Sequence, residues 1–395
     1  MVNAESRPGK RRAAPPKRRA ERPAKPSGRR LGERRAMPLT DDPAASRSPG
    51  APATPEPTPS RPAGRNPFAA PRTSRLRALL AGLVTLLTLA ALGVLAAAQV
   101  TDVLGVDAVR WAAVVLSTGY GAALAARTGG RTIVSGGLVL ALGTAAVLSG
   151  NGVLLAGAAT VMGVVAAVLA VMATTPAPGF RRVVLEVLVA VLVAAGGALG
   201  VVGYAPDVSR DRFVYVVLAL ALAGAMTLVF RLGAGLHGLG RRGYVILLGG
   251  LVVLTVTLAY AEALRRWASP GLRSGFEAFV TDVDALLGAI PQPLEIALGF
   301  PALAWGVSMR ARRRQGWWVC AFGVAATSTI AVSLVAAGPV EAALALGYSL
   351  VPGLVLGYAV IRVDQFFTGP RGRRARQLEE ASAHRPEPRR TRALL

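Results

Sequence analysis

From Leu76 to Arg362 the chain alternates long apolar runs with short charged connectors. The runs lie near 78–100, 111–126, 132–149, 153–174, 183–204, 213–230, 243–261, 294–309, 316–337 and 342–361, the second and eighth being the shortest. A hydrocarbon layer roughly 30 Å thick takes about 20 helical residues to cross, with a range near 17 to 25. Backbone inside a bilayer must satisfy its own hydrogen bonds, so each run is a helix or a barrel strand. Continuous apolarity without period-two alternation selects helices. The expected fold class is all-α: a polytopic membrane helix bundle of about ten transmembrane helices, occupying 76–362 between two disordered basic tails.

The connector at 262–293 has a pattern of its own. Phe276, Phe279, Val280, Val283, Leu286, Leu287 and Ile290 follow the three-and-four spacing of one helical face, while Glu277, Asp282 and Asp284 fall off that stripe. Pro270 before it and Pro291 and Pro293 after it bound a helix too short and too charged to span, which places it in the interface or over the bundle.

Charge adds an orientation. Arg127 and Arg131, Arg181 and Arg182, Arg231, Arg241 and Arg242, and Arg310, Arg312, Arg313 and Arg314 occupy every second connector, with no acid among them. The alternate connectors hold Asp102, Asp107, Asp207, Asp211, Glu262, Glu277, Asp282, Asp284 and Glu341 beside fewer arginines. Positive residues flanking helices stay in the cytoplasm, so both termini are expected there, in a multi-pass protein of the cell (inner or plasma) membrane. A missed or spurious helix would shift the phase of later connectors, and none is shifted.

Composition sharpens the ends of the chain. Of 27 prolines in 395 residues most fall in 1–75, a basic segment with few bulky apolar residues that cannot bury enough surface to fold alone. Pro38, Pro43, Pro49, Pro52, Pro55, Pro57 and Pro59 make its second half an extended linker. Met37 is an alternative start, which a native peptide from 1–36 would rule out. No short apolar stretch with a small-residue cleavage site follows Met1, so the run near Leu79 is the first anchor. After Arg362 the chain turns polar, through Arg371, Arg373, Arg374 and Arg376, as a second cytoplasmic tail. The net charge of +24 is carried almost wholly by arginine, and its nearest counterpart is the anionic leaflet. Lipid headgroups and a membrane or cytoplasmic protein are the expected partners, and no specific nucleic acid binding is expected.

Chemistry has few instruments here. The single cysteine, Cys320, excludes an intrachain disulfide, and the histidines are His237 and His384 alone. The stretch Gly233 to Gly238 matches GxGxxG but joins two membrane helices rather than a strand to a helix, so it is no nucleotide fingerprint. No cofactor or metal is implied.

Four features remain as candidate sites. Glu186 is the one carboxylate within a run toward the cytoplasmic side; it is a candidate coupling carboxylate or else a structural partner of Arg182 one turn earlier. Glu295, at the outer start of the eighth run, carries the same ambiguity, and the helix dipole favours an acid there. Gly299-Phe300-Pro301 and Pro352-Gly353 are candidate helix breaks, of the kind that free backbone groups for a substrate near the midplane. Asp282 and Asp284, with the other outer acids, are candidates for a divalent cation or for base catalysis in sugar transfer, against the alternative of a solvated rim. Thr255, Thr257, Thr327, Ser328, Thr329 and Ser333 are read as hydrogen-bonding glue, and Gly196, Gly200, Gly353 and Gly357 as small packing faces.

Three function classes fit. The first is a transporter- or flippase-like permease, since ten spans divide into two odd halves as inverted repeats require. The second is a non-catalytic envelope or assembly protein, and the third a membrane transferase using outer-face carboxylates.

Overall fold

The structure, a computed structural model, describes residues 72–394 except 102, 233–239, 313–315, 336, 369–373, 375–376 and 379–386. The basic tail up to residue 71, the glycine motif with His237, and His384 lie outside the described residues.

The described chain is helical, with no strand. Its helices are α1 (Arg72–Ala97), α2 (Val106–Arg127), α3 (Thr132–Ser149), α4 (Gly152–Met172), α5 (Phe180–Gly203), α6 (Arg210–Arg231), α7 (Gly240–Trp267), α8 (Pro270–Leu287), α9 (Phe300–Arg310), α10 (Gly316–Ala321), α11 (Val324–Val332) and α12 (Pro339–Thr368). A π-turn, Glu295–Gly299, leads into α9, and a 3-10 turn, Ser333–Val335, follows α11. Local chemistry sets several ends. Gly150, at φ +60°, closes α3. Asn151 caps α4 by accepting from the Val153 N–H at 2.9 Å. Ser269 accepts from the Leu272 N–H ahead of Pro270 in the first turn of α8.

Among the described residues nine helices are long and apolar enough to cross a membrane, as in a multi-pass integral membrane protein, with α10, α11 and the 3-10 turn taken as one. That is one fewer than the sequence predicts, and the difference is the eighth run. That run is helical from Pro293 through Arg310, but the π-turn at Glu295–Gly299 interrupts its α-helical course, so no single α-helix covers it. From Pro293 to Arg310 it rises ~25 Å at about 1.5 Å per residue, close to the thickness of the hydrocarbon layer. Three prolines explain the interruption. Pro291 precedes the helix and Pro293 opens its first turn, and Pro301 can donate no bond to the preceding turn, which closes instead through the Phe300 N–H to Glu295 O.

The ninth span, Gly316–Val335, is the hub: 78% of its most apolar window is buried, against 11% for the first span in α1. It packs on α4, α5, α6 and α9, with α12 on the far side of α9. Leu83, Leu86, Leu142, Leu192, Leu220 and Val256 stand exposed around this centre, an apolar girdle suited to lipid. The amphipathic helix predicted in the long connector forms as α8, bounded by Pro270 as expected, and buries no residue. Tyr348 on α12 fastens its end by donating to Leu287 O at 3.1 Å.

Glycine contacts set the approach of the central helices. A Cβ at Gly299 would come within 2.5 Å of Ala326 N, one at Gly306 within 2.6 Å of Cys320 N, and one at Gly353 within 2.8 Å of Phe300 Cβ. The α11 hydroxyls bond to backbone: Ser328 to Val324 O at 2.6 Å, Thr329 to Ala325 O at 2.8 Å, and Thr327 across to Ala167 O of α4 at 3.0 Å. Interhelical bonds in lipid contribute little, because the separated helices find other partners. Thr327→Val should therefore cost about 1 kcal/mol or less, measured as a shift in the midpoint of denaturation by SDS; a larger loss would show that the hydroxyl does more than join two helices.

Candidate functional site

Buried polar side chains gather in two places. The first is the end of the bundle where α2, α4, α5 and α9 terminate or begin. Arg127 ends α2, Arg310 ends α9, Thr174 and Thr175 follow α4, and Glu186 lies in the second turn of α5. Hydropathy ends each helix near these positions, and packing closes over them.

Arg310 is fully buried. It donates to Thr174 Oγ1 at 2.7 Å and Thr174 O at 3.0 Å, and its guanidinium lies 3.4 Å above the Trp317 ring. Arg127, also buried, donates to Met172 O at 2.8 Å and shares Thr174 O at 3.5 Å. Two cations therefore converge on one carbonyl.

Their neutralising partner comes from the end of the chain. Glu387 takes a two-oxygen grip from Arg310, at 2.6 and 3.5 Å. Arg127 donates to the carbonyls of Pro388, Arg389 and Arg392, at 3.4, 3.0 and 3.0 Å. The Leu394 N–H returns a bond to Arg127 O at 2.8 Å, and Leu394 rests against the apolar core. Glu186, in turn, accepts from the Thr175 N–H at 2.7 Å, the Thr175 hydroxyl at 2.8 Å and Arg390 at 2.5 Å. The candidate coupling carboxylate thus caps the α4–α5 connector, and its cation is Arg390 while Arg182 stands exposed. Beside this cluster a recess of about 300 Å³ opens between Pro178 to Phe180, Ser308 and the Tyr358 to Gln365 turns of α12.

The second place is inside the bundle. Glu295, on the π-turn, is 2% exposed, and among the described residues its Oε2 meets no hydrogen-bond partner. Ser349 of α12 hydrogen-bonds to this carboxyl and accepts from the Gln292 N–H at 2.8 Å. Ser349 lies ~15 Å along α12 from Pro339, about a third of the way along a helix whose bounds are Pro339–Thr368. Glu295 is therefore enclosed between its own turn and α12.

The candidate helix breaks gather at this level. Gly353 fits against Phe300, and Gly357 fits against Ala304 and the Pro301 Cα, where a Cβ would come within 3.4 Å. Pro352 sits inside α12, which continues through it, and faces outward. Asp282 and Asp284 are exposed on α8. Two apart on a helix, they do not face each other, so α8 by itself does not pair them around one cation.

Sequence reasoning passed over Arg127, Arg310, Thr174, Thr175, Trp317, Ser349, Glu387 and Arg390. The arginines were legible only as an orientation signal. Prolines on both sides of Glu295 were the one local sign that its turn departs from a regular α-helix. No known family matches the chain, and no curated protein or solved structure matches it.

Proposed function

We propose that the protein is a permease of the cell membrane, with both termini in the cytoplasm, and that Glu295 rather than Glu186 is its coupling carboxyl. The observation that carries this is the buried Glu295 oxygen without a partner among the described residues, on a π-turn packed beside α12 at Ser349. An ionisable group inside a bilayer is costly and is retained where it moves or holds a charge. π-Turns gather at functional positions, and interrupted helices supply the free backbone groups of transporter sites. Glu186, by contrast, has each oxygen occupied at a helix end. The orientation is supported by the meeting of Arg127 and Arg310 at one end, together with the positive-inside tendency. Arg131, Arg181, Arg182 and Arg241 are exposed and suit anionic headgroups, whereas Arg127 and Arg310 are buried and do not.

Vesicles holding the purified full chain and a pH-reporting dye test the reading. An imposed inside-negative potential should draw in protons faster than in empty vesicles, and Glu295→Gln should return the rate to the empty-vesicle value while Glu186→Gln does not. The carbodiimide DCCD should label Glu295 in the wild type. Wild-type vesicles no leakier than empty ones, with Glu295 unlabelled, would favour the second reading, a non-catalytic assembly protein. That reading draws on the glycine-tight centre around Gly299 and Gly306 and on α11 hydroxyls already bonded to backbone.

A further inference from the structure

The segment Glu387–Leu394 meets the bundle with reciprocal chemistry at each charged point. Its carboxylate lies on Arg310 of α9, its main-chain carbonyls on Arg127 of α2, and its guanidinium on Glu186 of α5. Three helices distant in sequence thus present two cations and one anion, in the order the segment requires. Arg389 and Arg392 turn their side chains outward, so these contacts select Glu387 and Arg390 rather than basicity in general. A turn closed by the Arg392 N–H on Arg389 O, at 2.8 Å, lets two carbonyls reach one guanidinium.

We propose that the recess formed by Arg127, Thr174, Glu186 and Arg310 is a peptide site that reads Glu-x-x-Arg, and that this chain fills it with its own residues 387–394 as a removable strap. The segment has no apolar face with which to fold alone, so the bundle supplies its order. Of the segment only Leu394, partly buried, joins the apolar packing of the bundle, and the glycine contacts between helices do not involve it. Without the strap, Arg127 and Arg310 face each other across the Thr174 carbonyl with no carboxylate between them, which leaves a site open to a carboxylate of like geometry. The fork-to-fork grip of Arg310 on Glu387 selects a carboxylate in a fixed orientation, and Glu186 sets where the arginine must follow. Extended chain between Thr368 and Glu387 reaches at most ~60 Å, enough for a segment to serve its own bundle. While the strap is seated it excludes a second Glu-x-x-Arg peptide; once displaced it yields the arginine end of the bundle to that partner.

Hydrogen exchange on the full chain in detergent, followed by mass spectrometry, tests this directly. In the wild type the amides of Arg392 and Leu394 should exchange at least ~10-fold more slowly than in the free peptide 387–394. Glu387→Arg and Arg390→Glu should each bring them to the free-peptide rate, whereas Arg392→Gln should leave them protected. These substitutions lie in the strap, so the exchange of α4 and α11 should not change. Excess free peptide 387–394 should release the strap amides, and a peptide with the Glu and Arg charges exchanged should not. Wild-type amides that exchange as freely as the peptide would overturn the proposal, as would protection that survives Glu387→Arg. A strap that free peptide cannot displace would be a fixed part of the fold, and the peptide site would be refuted. Protection that vanishes on diluting the chain would make a second copy the occupant and sink the self-strap. None of these results depends on whether the protein transports.

Discussion

Arg310→Ala should be among the most damaging single substitutions in the bundle, costing about 3–5 kcal/mol. The residue is fully buried, holds Thr174 by two bonds, grips Glu387 and lies over Trp317. Truncation leaves the Thr174 carbonyl short of a donor and opens a void beside the indole. It also removes the cation that neutralises Glu387, whose side chain is 9% exposed. Glu387→Ala should cost far less, about 1 kcal/mol, because the strap can leave and let water reach Arg310, which keeps Thr174 and Trp317. Arg310→Lys should fall between the two, since an ammonium can meet neither the two-oxygen geometry nor the ring plane as a guanidinium does. SDS titration of the purified variants reads all three. Equal losses for Arg310→Ala and Glu387→Ala would mean that Arg310 acts only through the strap. The Arg390 bond to Glu186 should contribute least, its arginine side chain being 40% exposed and therefore screened.

A single methyl group at Gly306 should cost about 1–3 kcal/mol. The added carbon would lie 2.5 Å from Cys320 Sγ and 2.6 Å from Cys320 N, and the backbone cannot turn aside as a side chain can. Relief requires moving α9 from α10, which would also shift Arg310 at the end of the same helix. Gly157→Ala is the control, because a Cβ there meets nothing within 4 Å. If the two alanines melt alike, the close approach of α9 and α10 does not govern stability. Gly299→Ala should match Gly306→Ala, with backbone of Ala326 as the obstacle.

The comparison of sequence with structure turns on the reach of each signal. The apolar runs and helix bounds were legible because length and hydropathy act locally, and a helix must satisfy its own backbone wherever it enters lipid. The stripe from Phe276 to Leu287 marked α8 for the same reason. The eighth run is helical as predicted, from Pro293 to Arg310, but hydropathy gives no sign that Glu295–Gly299 winds as a π-turn ahead of Pro301. Glu186 drew attention as the acid on the arginine side, yet its oxygens belong to Thr175 and Arg390. Glu295, read as an acid at the outer start of the eighth run, is buried beside Ser349.

By itself, then, the sequence determined an all-helical membrane bundle, its connectors sorted by charge, its amphipathic connector helix and the small residues that let helices approach. Each of these follows from the partition of individual residues between water and lipid. Only the tertiary structure decided which ionisable groups are buried and with whom they pair: Arg310 with Glu387, Glu186 with Arg390, Glu295 with Ser349. Partition free energy is a property of one residue, whereas a buried pair exists only where packing brings two distant segments to the same few ångströms.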